Sequence, residues 1–150
     1  MEQRMTNPGA TLGAIDRLQA LAAAPHGHGV PEATLELVHL RVSQINGCAW
    51  CLDFGVRAAK KAGESDERLA TVGAWREAPW FDDAERAALR LAESITRIAD
   101  SSDPVPDEVW EQATQHYDEE GLAAIVMHVA MVNVWNRLNV SVRQIAGTWA

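Results

Sequence analysis

The sequence predicts an all-α fold, a bundle of about six or seven helices. Every segment that is apolar enough to pack has the helical period of 3.6 residues, and none alternates convincingly as a strand does. Prolines, glycines and capping residues separate these segments. At 150 residues the chain is long enough to form one domain, over residues 1–150, without disulfide staples.

Residues that stop helices limit the first three predicted helices. These helices cover residues 11–24, 31–45 and 48–63. Pro25 and the glycines after it end the first helix, and Pro31 suits the first turn of the second. Asn46 and Gly47 are a typical stop signal, so the third helix begins at the cysteine pair that follows them.

Capping residues limit the remaining helices. These cover residues 66–75, 82–99, 107–116 and 121–140. Asp66 caps the first of them, Asp82 or Asp83 caps the second, and Pro79 separates the two. The last helix is apolar nearly all round. A polar sequence from Trp135 interrupts it before the roughly 20 apolar residues that a membrane span needs, so we expect it to be buried in a core or a subunit interface.

The charge excludes some partners. The net charge is -8, from 13 Lys and Arg against 21 Asp and Glu, and no basic stripe is present. We therefore expect no nucleic-acid or membrane partner. The first nine residues have no apolar core of a secretory signal, which predicts a reducing, cytoplasmic location in which the thiols cycle between dithiol and disulfide.

Cys48 and Cys51 are the only cysteines, and they form a Cys-x-x-Cys pair where a helix is predicted to begin. Unpaired N–H groups at a helix N-terminus stabilise a thiolate, the form that attacks peroxides and disulfides. Residues three apart on a helix are slightly too far apart for a disulfide, so oxidation is expected to distort the first turn.

The pair has three other interpretations. A thioredoxin-like motif needs a neighbouring strand, and none is predicted. A structural zinc site could take both thiolates with His39 and Glu36, but such sites usually contain a second pair of closely spaced ligands. Finally, the cysteines could be small core residues without chemistry. We favour the redox interpretation and assign no metal or cofactor.

Four segments resemble the carboxymuconolactone decarboxylase and AhpD-like alkylhydroperoxidase superfamily. They are the cysteine-centred residues 40–53 and the shorter runs 74–76, 83–89 and 133–138. The resemblance implies an all-helical homo-oligomer, a dimer, trimer or hexamer, that reduces organic hydroperoxides and is reset by a dithiol or a protein reductant. It also implies that Cys51 is the attacking thiolate, that Cys48 resolves it, and that Glu36, twelve residues before Cys48, belongs to the site.

The chain departs from the family pattern at Gly55, where the pattern has a histidine four residues after the second cysteine. Without an imidazole, direct transfer from an ordinary thiol to an ordinary carboxylate spans roughly four pKa units, about 6 kcal/mol. His39 lies three residues after Glu36 on the same predicted helix, so it is a candidate for the missing imidazole. Its alternative is a role in packing.

Two other functions remain open at this stage. One is decarboxylation of a lactone, which the superfamily's name implies and which should not depend on a dithiol. The other is a redox sensor or assembly module without catalytic turnover. The acidic surface would repel an anionic lactone, and the missing histidine at Gly55 removes a group for acid–base chemistry. We therefore rank thiol peroxidase activity first.

Overall fold

The computed structural model describes residues 2–148, and no strand is present among them. The predicted all-α fold is confirmed, with eight α-helices rather than six or seven. They are α1 (Pro8–Thr11), α2 (Ile15–Ala23), α3 (Glu32–Asn46), α4 (Ala49–Lys61), α5 (Asp66–Thr71), α6 (Asp83–Thr96), α7 (Asp107–Thr114) and α8 (Glu119–Val142). Short 3-10 turns cover Val72–Ala74 and Ile98–Asp100.

Helix α3 is the centre of the fold because it is buried on two faces. One face packs against α6 and α8, and the other packs against α4 and the turn after α5. The first face belongs to a cluster that contains Leu35, Val38, Val42, Leu91, Ile125 and Val129. The second belongs to a cluster of Leu37, Leu40, Val72, Trp75, Phe81 and Leu89. Each such Leu or Val contributes roughly 1.5–3 kcal/mol when it is fully buried, so the position of α3 is strongly determined.

The single helix predicted over residues 11–24 is wrong at its start. Asn7 and Pro8 begin a separate one-turn helix, α1, because the Asn7 side chain accepts the N–H of Gly9 and Pro8 occupies the first helical position. Gly13, with a φ of 63°, then breaks the chain direction before α2. The extra helix accounts for the difference in helix number.

Helices α5 and α6 begin within one residue of their predicted starts, and side chains cap both of them. Ser65, rather than Asp66, caps α5 by accepting the N–H of Arg68. Asp82 caps α6 and forms a capping box with Glu85. The segment predicted as one helix over residues 66–75 is completed by the 3-10 turn Val72–Ala74.

A buried ion pair ties α3 to α6. Glu93 is 5 % exposed and accepts hydrogen bonds from Arg41, Arg76 and Trp75 at 2.6–3.0 Å. Burial alone would raise the pKa of Glu93, but these three donors outweigh it and hold the pKa below its ordinary value. The carboxylate is therefore charged and fully partnered inside the fold.

Helix α8 is long and apolar enough, by length and composition, to cross a membrane, and it is the one such helix in residues 2–148. In this fold it packs against α3, α4 and α6 instead. Its buried face includes Ile125, Val129 and Val132 from the core and three asparagines discussed below. The predicted burial of the last helix is confirmed.

His128 is held inside the bundle by a backbone contact. Its Nε2 lies 3.0 Å from the carbonyl oxygen of Leu35 on α3, and the residue is 7 % exposed. A carbonyl oxygen only accepts, so the Nε2 atom carries the proton. Burial, followed by the charges of His39 and His26, lowers the pKa of His128 to about 4 despite that hydrogen bond.

The lowered pKa of His128 makes the free energy of unfolding depend on pH. A His whose pKa is lower in the folded state binds fewer protons than in the unfolded chain, so its contribution is fully present above about pH 6.5 and is lost toward pH 4. Between pH 7 and 4.5 the wild-type protein should lose roughly 2 kcal/mol more of its free energy of unfolding than His128→Gln, which keeps a side-chain N–H donor but does not titrate. Urea unfolding at the two pH values measures both losses. Equal losses in both proteins would contradict the assignment.

Candidate active site

Cys48 and Cys51 form a disulfide at the start of α4, with their Cα atoms 5.3 Å apart. Cys48 is the N-cap, in an extended conformation outside the helix, and Cys51 lies in the first turn. Because the first cysteine is not helical, the pair is bridged while α4 begins intact at Ala49. The expected distortion of the first turn is therefore not observed.

The turn before the cysteines explains this placement. Gly47 ends α3 in the left-handed region, with a φ of 67° and a ψ of 32°, which glycine adopts at little cost. Cys48 then leaves the α3 direction and caps α4, and its Sγ accepts the N–H of Cys51 at 3.3 Å. Both cysteines are buried, with 1 % and 2 % of their surfaces exposed.

A network of side-chain amides anchors this turn to α8. The Nδ2 of Asn46 donates to the side-chain oxygens of Asn133 and Asn136, at 3.0 and 2.8 Å. Asn136 in turn donates to the hydroxyl of Ser43, on α3, at 3.1 Å. Asn46 is half-buried and its three partners are buried, so each polar group satisfies another and the turn has a defined position against α8.

A second amide on α8 reaches a cysteine directly. The Nδ2 of Asn139 donates to the Sγ of Cys51 at 3.4 Å, and Asn139 is 4 % exposed. Its side-chain oxygen accepts from the Nδ2 of Asn7 at 2.8 Å. The sequence analysis did not identify Asn7 or Asn139, which lie 132 residues apart and carry no motif.

Glu36 and His39 lie together on α3, with 3.9 Å between Oε2 and Nδ1. Although 30 % of the Glu36 side chain is exposed, its Oε2 atom is buried and has no hydrogen-bond partner among the described residues. Burial raises the pKa of the Glu36 carboxyl, the charge of His26 opposes that rise, and the charge of Glu32 adds to it.

The His39 ring lies against α4. Burial lowers the pKa of His39 to about 4, and a hydrogen bond with the backbone of Cys51 partly opposes this. The ring also stacks on Phe54, with ring centres 6.2 Å apart. The structure therefore brings the predicted pair Glu36 and His39 together and joins it to Cys51 through the Cys51 backbone.

Gly55 faces the same ring. A Cβ atom at this position would lie 3.5 Å from both Cε1 and Nε2 of His39, and 2.9 Å from Cδ2 of Leu40. The imidazole from α3 therefore lies beside the position from which the family's histidine would project on α4. A side chain at residue 55 and the present His39 ring would compete for this space.

Aromatic side chains border the cysteine turn. The rings of Trp50 and Phe54 stack with centres 5.6 Å apart and planes 5° apart, and Phe54 is 44 % exposed. The indole N–H of Trp50 donates to the carbonyl of Thr148 at 3.2 Å, and the N–H of Gly147 donates to Asp53 at 2.9 Å. The segment after α8 thus returns to the first turns of α4.

The residues that the structure describes contain no group of three or more His, Cys, Asp or Glu side chains that could hold a metal ion. Glu36 and His39 face each other, while the two cysteine sulfurs bond to one another. The donor set proposed for zinc is not gathered in this arrangement.

Comparison with known proteins identifies the family. The sequence model of the carboxymuconolactone decarboxylase family matches residues 10–94, more than half of the chain. The chain belongs to the carboxymuconolactone decarboxylase family. This confirms the resemblance drawn from the cysteine-centred segment.

Three relatives extend the comparison within this family. The uncharacterised protein YdfG of Bacillus subtilis (strain 168) is 40 % identical over 112 residues, which are 75 % of each chain. Alkyl hydroperoxide reductase AhpD of a Bradyrhizobium species is 41 % identical over 63 residues, 42 % of this chain and 33 % of that one. The crystal structure of a protein of unknown function from Agrobacterium tumefaciens, named as a candidate antioxidant defence protein AhpD, aligns with a TM-score of 0.90. That alignment has 29 % identity and covers 99 % of this chain and 100 % of the other.

The environment of His39 predicts a redox-dependent titration. In the oxidised protein the ring has no anionic sulfur beside it, and we expect an NMR titration midpoint near pH 4. Reduction creates a thiol at Cys51, and the start of α4 favours its ionisation. The negative charge of the thiolate favours the imidazolium, so the midpoint should rise by about one unit or more. A Cys48→Ser, Cys51→Ser double variant is the control, because added dithiol should not move its His39 signal. An unchanged midpoint in the wild-type protein would remove His39 from the thiol's surroundings.

Proposed function

We propose that this protein is a thiol-dependent peroxidase that reduces organic hydroperoxides with Cys51 and Cys48. The observation that carries the proposal is the placement of an oxidisable cysteine pair next to Glu36 and His39, two groups that can move a proton. The names of the Bradyrhizobium and Agrobacterium relatives support an antioxidant role at a coarser level.

In the first step the Cys51 thiolate attacks the terminal oxygen of the hydroperoxide. A sulfur–oxygen bond forms, the oxygen–oxygen bond breaks, and the alkoxide leaves and takes a proton to become an alcohol. The peroxide gains two electrons, and Cys51 is oxidised to a sulfenic acid. A buried sulfur beside hydrogen-bond donors suits this step, because water competes less for the charge.

In the second step Cys48 condenses with the sulfenic acid. Its sulfur attacks the sulfur of Cys51, hydroxide leaves, and the proton of the Cys48 thiol converts that hydroxide into water. The product is the disulfide of the present structure. A dithiol, or the dithiol of a reductant protein, then resets the pair by two exchange steps and becomes a disulfide itself.

His39 and Glu36 are the two groups that can carry the proton away from Cys51. With a pKa of about 4, the His39 ring is neutral at pH 7 and has one nitrogen free of a proton. The raised pKa of Glu36 places the carboxyl above His39 in proton affinity and closer to the thiol. A proton taken from Cys51 can pass to the imidazole, which the new thiolate stabilises as a cation, and then to the Glu36 carboxylate, the group with the higher pKa of the two.

The apolar surroundings favour an organic substrate. Trp50 and Phe54 form a stacked wall beside the cysteine turn, and such walls with a few polar groups are typical of small-molecule sites.

We further propose that the protein works in the cytoplasm as a homo-oligomer. Large apolar side chains that a second copy would cover include Leu12, Trp80 and Trp110, which are 78 %, 49 % and 41 % exposed.

The first test is consumption of cumene hydroperoxide in excess dithiol. We expect multiple turnovers with the wild-type protein and none with Cys51→Ser, because the attacking sulfur is gone. In a parallel assay without added dithiol, the pre-reduced Cys48→Ser variant should consume about one equivalent of peroxide, since Cys51 remains but cannot form the internal disulfide. No turnover in any of the proteins, or undiminished turnover in Cys51→Ser, would refute the peroxidase proposal.

The second test moves the imidazole. His39→Ala should lower kcat/KM for the hydroperoxide at least tenfold near pH 7, because a positioned general base typically contributes about 10²–10⁴-fold. Gly55→His alone crowds the His39 ring and should not help. In the His39→Ala, Gly55→His double variant, an imidazole returns from α4 to the same space and should restore part of the activity.

His128→Gln is the matched control for these variants. It also replaces a buried histidine of low pKa, but one that bonds Leu35 on α3 and not a cysteine. Its kcat/KM should remain within about twofold of wild type. Equal activity of His39→Ala and wild type would assign His39 to packing.

A further inference from the structure

Each sulfur of the disulfide receives one hydrogen-bond donor, and the two donors come from different elements. The N–H of Cys51, in the first turn of α4, points at the Sγ of Cys48. The amide of Asn139, on α8, points at the Sγ of Cys51. The sulfur of Cys48 thus accepts a hydrogen bond from the N-terminus of α4, whereas the sulfur of Cys51 accepts one from a side chain 88 residues away.

The orientation of the Asn139 amide follows from the contacts of Asn7. The side-chain oxygen of Asn7 is taken by the N–H of Gly9, the capping bond of α1 at 2.8 Å. Its Nδ2 is therefore the end that faces Asn139, and an N–H can bond only to the oxygen of the Asn139 amide. This leaves the NH₂ of Asn139 facing Cys51.

A flipped Asn139 would be disfavoured at both ends. Its NH₂ would face the NH₂ of Asn7, and its oxygen would face the sulfur. Because Asn139 is buried and Asn7 is half-buried, water compensates little for either pairing of like groups. The helix cap therefore determines which end of a distant amide meets the cysteine.

We propose that Asn139 is a further catalytic residue, whose side-chain N–H stabilises the Cys51 thiolate, and that Asn7 is the positioning residue that orients it. The proposal rests on the proposed function only in taking Cys51 as the attacking sulfur. A disulfide sulfur is a weak acceptor, whereas a thiolate forms a charge-assisted hydrogen bond about twice as strong as a neutral one. The contact seen in the oxidised protein should consequently strengthen on reduction.

Ionisable groups also approach Cys51 from other elements. His39 bonds the Cys51 backbone from α3, with Glu36 behind it, and Cys48 is the covalent partner from the start of α4. Asn139 is the group from α8 that contacts the sulfur, and it is neutral at every pH. The effect of Asn139 on the Cys51 pKa can therefore be separated from the effects of these ionisable groups by measuring the reactivity of the Cys51 thiol over a range of pH.

The test uses Cys48→Ser as a background, so that Cys51 is the single thiol. Its rate of alkylation by iodoacetamide is measured from pH 5 to 10, which gives the thiol pKa. Asn139→Leu, of similar volume and without a donor, should raise that pKa by about one unit, and alkylation at pH 7 should become about tenfold slower. Asn139→Asp, which places a negative charge beside the sulfur, should raise it further.

His128→Leu is the matched control, because it removes a buried donor from the same helix that bonds the backbone of Leu35 and neither a cysteine nor the cysteine turn. It should leave the Cys51 pKa within about 0.3 units. Asn7→Ala frees the Asn139 amide to flip and should give a smaller rise in the same direction. Equal pKa values for Asn139→Leu and His128→Leu would overturn the proposal.

Circular dichroism reports whether each variant folds. If Asn139→Leu does not fold, Asn7→Ala decides instead: a raised Cys51 pKa supports the proposal, and an unchanged one overturns it. Alkylation needs no peroxide, so a protein without peroxidase turnover but with the predicted pKa changes would refute the proposed function and leave the role of Asn139 intact.

Discussion

The reversal of the chain at Gly47 is the constraint on which the rest of the site depends. It ends α3 in a left-handed turn and sends the chain into α4 alongside α3, so that residues before and after the turn face each other. Cys51 on α4 thereby meets His39 on α3, and Gly55 packs close to the same ring. A residue other than glycine at position 47 would strain this conformation, and the geometry of every group around the disulfide would change with it.

Hydrogen bonds between polar side chains hold this turn against α8. Asn46, Asn133, Asn136 and Ser43 form a buried chain of hydrogen bonds between α3, the turn and α8. Apolar contacts tolerate small displacements, whereas buried amides lose free energy if either partner moves. The network therefore restricts the cysteine turn to one position against α8, which is useful where a sulfur must be placed within hydrogen-bond distance of a donor.

The sequence was sufficient for the features that depend on local order along the chain. Pro31, Gly47, Asp82 and the cysteine spacing act through neighbours a few residues away, and the helices they bound were predicted within a few residues. The start of α1 lies outside the predicted helix over residues 11–24, because its signal is confined to the Asn7-Pro8 pair. The Asn7–Asn139 pair could not be predicted, since an asparagine gives no signal of a partner 132 residues away. The close approach of Gly55 to the His39 ring could not be predicted either, because it depends on the distance between α3 and α4.

The near-complete burial of both sulfurs has a consequence for kinetics. Thiol–disulfide exchange requires a thiolate to approach a sulfur, and here only 1 % and 2 % of the two cysteines is accessible. Small thiols and bulky reductants alike must wait for a local opening of the turn between α3 and α4. The exchange rate of the disulfide consequently depends on how often this turn opens as well as on the concentration of the attacking thiolate.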